Sequence, residues 1–154
     1  MKRRDRMEIN TRDFGKINID EEGILHFPQG IPGFLDKKDY VLIEFAEDSV
    51  FVVLQSIEEE GLAFITIPPW NLVEDYEIDI NKNTEKMLEI EGQEDIMLLV
   101  ICTIKDKIEN MTVNLAAPII INHKKKLAKQ IILDDTKYST REPAFPEHIK
   151  QEAR

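Results

Sequence analysis

Apolar positions along this chain occur in short runs that are rich in β-branched and aromatic residues. Most runs are bounded by Gly, Pro, Asp or Asn, which is typical of strands separated by turns. Residues 76–80 alternate strictly between apolar and polar, so they predict a strand with one packed and one solvated face. Residues 51–56 and 96–104 are largely apolar at successive positions and predict central strands buried on both faces. The predicted strands are YVLIEF (40–45), FVVLQS (51–56), LAFITI (62–67), YEIDI (76–80) and IMLLVICTI (96–104).

A hairpin and a helix complete the predicted elements. Residues 16–20 and 24–27 flank the sequence Glu-Glu-Gly and predict a hairpin with a short turn. Residues 81–90 predict one short helix that buries Met87 and Leu88. Its N-cap candidates are Asn81, Asn83 and Thr84.

Many strands at short spacing with a single helix indicate an all-β fold, because no alternation of strand and helix is present. We predict an antiparallel barrel or barrel-like sandwich with one short helix. The 154 residues suit a single domain, placed at residues 1–139, with residues 1–6 as an N-terminal extension. Residues 140–154 contain two prolines and many charges, so they predict a loosely ordered tail.

Three consecutive lysines, residues 124–126, lie between two isoleucine-containing runs. A helix over residues 124–133 would separate apolar and basic faces. However, the run that precedes the lysines is β-branched and directly follows Pro118, which disfavours a helix. We therefore predict a hairpin in which residues 129–133 pair antiparallel with residues 119–122 and the lysines lie at the exposed tip.

Nucleic-acid binding is the alternative function that this basic cluster leaves open. No aromatic residue between Tyr76 and Tyr138 could stack on a base beside it, and the formal net charge of -10 opposes binding to a phosphate backbone or an anionic membrane. The residues that would carry this alternative are Lys124, Lys125, Lys126 and Lys129, together with the basic start of the chain.

Signals for catalysis, metal binding or export are weak. The lone Cys102 lies in an apolar run, far in sequence from any histidine, so it predicts a buried, inert thiol. The histidines are dispersed, and the common nucleophile, phosphate-loop and dinucleotide motifs are absent. The start has no apolar signal region, and the longest apolar run is too short to span a membrane. We predict a cytoplasmic protein that is not an enzyme and uses no cofactor.

The stretch FPQGIPGF, residues 27–34, combines turn residues with apolar side chains. Gly30 and Gly33 can adopt positive φ while the proline stiffens the loop. Ile31 and Phe34 have two interpretations: they plug one end of the barrel, or a rigid loop presents them to a protein partner. Trp70, after a Pro-Pro pair, has the same two interpretations.

Several motifs in this order resemble those of the flagellar assembly factor FliW family. They are FPQGIPGF, DYEIDI, NLAAPIIIN and KQIIL with a following Tyr138. The resemblance covers about residues 7–138. Two departures accompany it: the basic stretch MKRRDRM precedes the usual start, and IPPWNL replaces a turn that is commonly of the Asn-Pro-Phe type, so no role is transferred to Trp70.

The resemblance implies a small, acidic, non-enzymatic protein with two protein partners. Members bind newly made flagellin and also the translational repressor CsrA. Free flagellin captures the factor; export of flagellin releases it to bind CsrA and relieve repression of flagellin synthesis. It further implies no direct contact with nucleic acid or membrane, and we expect a monomer. The predicted partner-binding residues are Ile31, Phe34, Asp75, Tyr76, Glu77, Asp79, Asn114, Pro118 and Asn122.

An acidic region allows one partner to be assigned by charge. Only Lys82 and Lys86 oppose nine carboxylates between residues 74 and 95. An RNA-binding regulator must carry basic surface, so we predict that CsrA docks beside this region. Flagellin, with apolar terminal segments, is predicted to depend on Ile31 and Phe34. The carboxylates are Glu74, Asp75, Glu77, Asp79, Glu85, Glu89, Glu91, Glu94 and Asp95.

Overall fold

A computed structural model describes residues 5–134 and 136–145 of the chain. This part contains eleven strands and one α-helix, α1 (Lys82–Met87). The first strands are β1 (Arg6–Thr11), β2 (Gly15–Asp20), β3 (Leu25–His26), β4 (Asp39–Glu44), β5 (Val52–Ser56) and β6 (Ala63–Ile67). The others are β7 (Ile96–Thr103), β8 (Thr112–Val113), β9 (Ile119–Asn122), β10 (Leu127–Gln130) and β11 (Glu142–Pro143).

Seven of these strands close into a barrel. Their order is β7-β6-β5-β4-β3-β10-β9, and β9 pairs back onto β7 to complete the circle. Every pairing in the circle is antiparallel except that of β3 with β10, which is parallel. Closure removes the exposed sheet edges that would otherwise pair with other chains. The predicted all-β barrel with one short helix is confirmed.

The barrel interior is packed with alternate residues of its strands. Tyr40, Leu54, Leu99 and Ile121 are buried there together with Phe27 from the segment after β3. Each such side chain contributes about 1.5–3 kcal/mol when it leaves water. The interior is therefore a hydrophobic core, and function must lie on the outer surface or at the barrel ends.

A second apolar cluster lies on the outer face of β7 to β9. Leu98, Val100 and Ile120 point away from the barrel interior and are covered by Tyr76 and Leu88. The segment between β6 and β7, which contains α1, thus serves as a cover for this face. The predicted central strand at residues 96–104 is confirmed as β7, which pairs with β6, β8 and β9.

The predicted hairpin of residues 16–20 and 24–27 is wrong. β2 pairs with β1 along its whole length, and this two-stranded ribbon packs on the outside of β4 through Ile9, Ile19 and Val41. A 3-10 turn at Glu21–Gly23 separates β2 from β3, which pairs with β4 and β10 instead. The turn redirects the chain rather than reversing it alongside itself.

The predicted strand at residues 76–80 is also absent. This segment keeps the predicted alternation of buried and exposed side chains, but it forms no strand ladder. The helix that follows begins where predicted: the Asn81 side-chain oxygen accepts a hydrogen bond of 2.8 Å from the Thr84 N–H. It ends at Met87 rather than residue 90, and Glu89 has positive φ.

The hairpin with the lysine-rich tip is confirmed, with a shift in its second strand. β10 begins at Leu127 and pairs antiparallel with β9, so the tip is residues 123–126. Backbone hydrogen bonds continue past β10, because the N–H groups of Ile131 and Leu133 donate to the carbonyls of Pro118 and Ala116. The predicted partner segment, residues 129–133, is thus attached over its length but only partly as a regular strand.

The segment after residue 139 does not begin as a loose tail. β11 pairs with β8, and the Ala144 N–H donates to the Met111 carbonyl at 2.9 Å. The barrel assembly therefore extends past the predicted boundary at 139, while residues 146–154 lie outside the described part. At the other end, the predicted extension of residues 1–6 overlaps β1, which begins at Arg6; residues 1–4 are likewise outside the described part.

Cys102 lies in β7 and is buried, as predicted. Burial raises the pKa of its thiol to about 12, which keeps the sulfur protonated and unreactive at neutral pH. Among residues 5–134 and 136–145, no helix is long and apolar enough to cross a membrane.

Candidate partner-binding surfaces

The loop at residues 27–36, called here the capping loop, closes one end of the barrel. It begins at Phe27, whose ring packs edge-on against Tyr40 at 5.2 Å. Tight turns follow, in which the Gly30 N–H donates to the Phe27 carbonyl and the Phe34 N–H donates to the Ile31 carbonyl. Gly30 is required here: its φ is +69°, and a Cβ would lie 2.5 Å from the Leu35 carbonyl oxygen.

The capping loop sorts its apolar side chains between core and surface. Ile31 is only 1% exposed and belongs to the barrel core, so for this residue the plugging interpretation holds. Phe34 is 39% exposed and packs edge-on against Phe64 at 5.8 Å. Leu35, which the sequence analysis did not single out, is 62% exposed. The apolar surface available to a partner is therefore Phe34 and Leu35.

Tyr40, beneath the capping loop, is fully buried, and its hydroxyl has no hydrogen-bond partner among the described residues. Burial, together with the nearby carboxylates of Glu58, Asp36 and Glu59, raises the pKa of this hydroxyl to about 12. The apolar tip of the loop is therefore bordered by acidic side chains.

The acidic segment, residues 74–79, is fixed by aromatic side chains. Tyr76 is buried; its hydroxyl donates to the Leu115 carbonyl at 2.7 Å, and its ring stacks on Tyr138 at 4.4 Å. Burial, with Tyr138 beside it, raises the pKa of the Tyr76 hydroxyl to about 12. Trp70 donates its indole N–H to the Tyr76 carbonyl, and the Tyr138 hydroxyl accepts from the Glu77 N–H.

This anchoring leaves the predicted carboxylates at the surface. Asp75, Glu77 and Asp79 are all exposed, and within the described residues none of them forms a salt bridge. Because no described residue neutralises their charges, they attract basic groups from outside. Tyr76 was predicted to contact a partner; its side chain is instead buried beneath the acidic segment and holds that segment in place.

The three predicted residues from the NLAAPIIIN motif have internal roles. The Asn114 side-chain oxygen accepts from the Ala116 N–H, and Pro118 is buried. Asn122 is fully bonded: its amide donates to the Leu88 and Glu89 carbonyls, and its oxygen accepts from the backbone of the lysine tip. Asn122 therefore joins the end of α1 to the hairpin. The structure does not bring these residues to either exposed surface described above.

The lysine tip is partly neutralised by its neighbours. Lys124 forms a salt bridge of 2.9 Å with Asp95, which is buried. The pKa of Asp95 is lowered by the hydrogen bond from Lys124 and by that from the Glu91 N–H. The pKa of Lys124 is raised by the same bond, with Glu94 and Glu91 adding smaller contributions. A basic tip set beside carboxylates is a poor surface for a phosphate backbone.

A groove runs beside the acidic segment, between residues 77–84 on one side and residues 131–134 and 136–138 on the other. The groove has a volume of about 510 Å³, and Tyr138 is one of the residues that line it. Ile132 projects here with 72% of its surface exposed, a second apolar residue that the sequence analysis did not single out. In the described residues no cluster of three or more His, Cys, Asp or Glu side chains could hold a metal ion.

These features define a small closed β-barrel with a packed interior and with exposed apolar and acidic surfaces outside. The sequence profile of the FliW protein family matches residues 8–144. The chain belongs to this family.

Individual relatives agree over almost the whole chain. The flagellar assembly factor FliW of Geobacillus sp. (strain WCH70) is 44% identical over 143 residues, which span 93% of this chain and 99% of the relative. The protein of the same name from Bacillus subtilis (strain 168) is 43% identical, over 89% of this chain and 96% of the relative. A crystal structure of the flagellar assembly factor FliW superposes with a TM-score of 0.86 at 43% identity, covering 92% and 99% of the two chains.

Proposed function

We propose that this protein is a monomeric, non-enzymatic flagellar assembly factor that acts in the cytoplasm by partner exchange. It binds flagellin while free flagellin is present. Once flagellin is exported, the released protein binds the translational repressor CsrA and antagonises it, so that flagellin synthesis follows export. The observation that carries this proposal is membership of the FliW family across residues 8–144, and the relatives are named assembly factors rather than enzymes.

Partner exchange requires only mass action between two complexes. A protein shared by two partners divides between them according to their free concentrations and affinities. If binding of one partner weakens binding of the other, the coupling is reciprocal: each partner lowers the affinity for the other by the same factor. A small barrel with a fixed core can therefore sense the concentration of free flagellin through binding alone, without catalysing a reaction.

The apolar tip of the capping loop supports an assignment to flagellin. Phe34 and Leu35 are exposed beside one another on a loop fixed by Gly30. Exposed large apolar residues on a rigid loop suit a partner that brings its own apolar surface. Binding there should depend weakly on salt, because little of its free energy comes from charges.

The acidic segment supports an assignment to CsrA. Asp75, Glu77 and Asp79 are exposed and unpaired within the described residues, and aromatic anchors hold them in position. A regulator that binds RNA carries basic surface, so opposite charges would steer the encounter and speed association at low salt. Direct binding of nucleic acid by the lysine tip is the weaker alternative, since Lys124 is already paired with Asp95.

Competition between purified proteins tests the proposal. Flagellin and CsrA from the same organism are each titrated into this protein, and flagellin is then added to the preformed complex with CsrA. We expect each partner to bind alone, and flagellin to displace CsrA in proportion to its concentration. Absence of binding to both partners would reject the function, and a stable ternary complex would reject the exchange.

A further inference from the structure

The groove beside the acidic segment is bounded by two stretches in which some backbone groups have no partner among the described residues. Residues 77–79, 81 and 84 form one wall, and residues 131–134 and 136–138 form the other. Extended backbone that lacks a neighbouring strand presents N–H and C=O groups to any chain that can lie alongside it. The groove has a volume of about 510 Å³, which is enough to receive several side chains.

The first wall has the side-chain pattern of a strand but forms no ladder. Side chains alternate between packed and exposed from Tyr76 to Ile80, as in a strand. The backbone groups of Ile78, Asp79 and Ile80 make no hydrogen bond to any described protein group. The Glu77 N–H points to the Tyr138 hydroxyl, which lines the groove. Because backbone direction alternates along a strand-like chain, we expect the N–H and C=O of Asp79 at the same edge as the Glu77 N–H.

In the second wall, too, some backbone groups are bonded and others are not. The N–H groups of Ile131 and Leu133 donate inward, to the carbonyls of Pro118 and Ala116. By the same alternation, the backbone groups of Ile132 point outward, and they have no partner among the described residues. The Ile132 side chain, exposed at the groove, adds an apolar contact on this side.

We propose that this groove binds an extended segment of a protein partner as an added strand. Backbone hydrogen bonds to Asp79 or to Ile132 would hold the segment, and its alternate side chains would enter the groove. Such strand addition takes its affinity from the main chain and its selectivity from the side-chain contacts.

Charge identifies the kind of segment that fits. The groove carries the exposed carboxylates of Glu77, Asp79 and Asp134, whereas the one lysine among its described lining residues, Lys137, lies over the Tyr138 ring at 5.5 Å. An excess of negative charge beside Ile132 suits a segment that alternates basic and apolar residues. Resting on the proposed function, the inference assigns this segment to the basic regulator CsrA rather than to flagellin.

A proline substitution separates backbone pairing from charge. Asp79→Pro removes both the carboxylate and the N–H, whereas the matched Asp79→Ala removes only the carboxylate. We expect the proline variant to bind CsrA about five- to tenfold more weakly than the alanine variant, the value of one lost hydrogen bond. Circular dichroism and thermal melting verify the fold. Ile132→Pro against Ile132→Ala is the equivalent pair on the other wall and serves if residue 79 tolerates no proline.

Amide hydrogen exchange gives an independent measurement. In the complex of the wild-type protein with CsrA, the amides of Asp79 or Ile132 should exchange at least about tenfold more slowly than in the free protein. Equal binding by the proline and alanine variants of both pairs, with no slowing at either amide, would overturn the inference.

A synthetic peptide keeps the inference separate from the proposed function. The probe is a seven-residue peptide of alternating lysine and valine, compared with its glutamate–valine counterpart and with a backbone N-methylated copy. We expect chemical-shift changes at residues 77–80 and 131–134 for the first peptide only. If the wild-type protein bound neither flagellin nor CsrA, the proposed function would fail and this peptide would decide the inference. Equal or absent shifts with all three peptides would reject strand addition.

Discussion

The capping loop and the acidic segment are both irregular, yet they are fixed by different means. The capping loop is held by its own backbone, through Gly30 at positive φ and two tight turns. The acidic segment is held by side chains distant in sequence, since Tyr138 and the Leu115 carbonyl anchor Tyr76 and Glu77. A local signal can therefore reveal the first kind of surface, whereas the second depends on the completed fold.

The contrast between buried Ile31 and exposed Phe34 gives the largest expected effect. Ile31→Asp would place a carboxylate in the barrel core without a partner, at a cost of about 4 kcal/mol or more, enough to unfold a domain of this size. Phe34→Asp should lower the melting temperature by only a few degrees and the free energy of unfolding by about 1–2 kcal/mol at most. The reason is that the Phe34 side chain is already partly exposed to solvent. Urea denaturation followed by circular dichroism measures both. Similar stability of the two variants would contradict the placement of Ile31.

Substitution of the two positive-φ glycines of the capping loop, Gly30 and Gly33, tests how far the backbone fixes the loop. Gly30→Ala should cost about 2–4 kcal/mol, because the added Cβ would meet the Leu35 backbone and φ is also unfavourable. Gly33→Ala should cost about 1–2 kcal/mol, since its φ is +92° but no atom lies within 4 Å of the new Cβ. Denaturation midpoints compare the pair. The reverse order would show that the tight contact at Gly30 does not shape the loop.

Two buried tyrosines, Tyr40 beneath the capping loop and Tyr76 in the acidic segment, differ in their hydrogen bonds. Tyr76→Phe leaves the buried Leu115 carbonyl without its donor and should destabilise the protein by about 1–3 kcal/mol. Tyr40→Phe removes a hydroxyl that has no protein partner in the described residues, so stability should stay constant or rise by up to about 1 kcal/mol. Thermal unfolding of both variants checks this difference. A marked loss of stability in Tyr40→Phe would mean that its hydroxyl is satisfied after all.

The ion pair at the lysine tip predicts a smaller effect, a contribution to stability that is lost at acidic pH. The folded pKa of Asp95 lies below its ordinary value of 3.8, mainly because of the hydrogen bond from Lys124. Its contribution to stability is therefore complete above that value and is lost as pH falls through the lower folded pKa. The melting temperature of the wild-type protein should fall more steeply below pH 4 than that of Asp95→Asn. Parallel curves would show that the pair makes no contribution to stability.

Patterns internal to a strand predicted the barrel well. Continuous apolar runs such as residues 96–104 could only be buried on both faces, and the confirmed β7 is central for that reason. The β9–β10 hairpin was likewise indicated by β-branched runs on both sides of a polar tip. These predictions hold because they depend only on the burial of apolar side chains and not on which strand is the neighbour.

Predictions that required knowledge of the neighbour failed. Residues 76–80 have the alternation of a strand, but Tyr138, far along the chain, occupies the Glu77 N–H that a neighbouring strand would have used. Residues 16–20 were paired with the next run in sequence although β1, with alternating Met7 and Ile9, precedes them. Sequential proximity is a weak guide when a 3-10 turn intervenes.

Site residues divide in the same way. Phe34 was predicted from the turn residues around it and the acidic residues from their charge, and Phe34, Asp75, Glu77 and Asp79 are all exposed. Asn122 was predicted as a contact but caps α1 and organises the hairpin, which no local pattern reveals. Leu35 and Ile132 had no signal beyond their hydrophobicity, because only the fold decides which apolar residue of a run remains at the surface.

The central claim is that the two regions serve different partners, and a pair of matched variants tests it most directly. Binding of flagellin and of CsrA is measured by titration for Phe34→Asp and for the triple change Asp75→Lys, Glu77→Lys and Asp79→Lys, with each fold verified by circular dichroism. We expect a crossed result: Phe34→Asp loses flagellin but keeps CsrA, and the charge reversal loses CsrA but keeps flagellin. Loss of both partners in either variant, or unchanged binding in both, would contradict it.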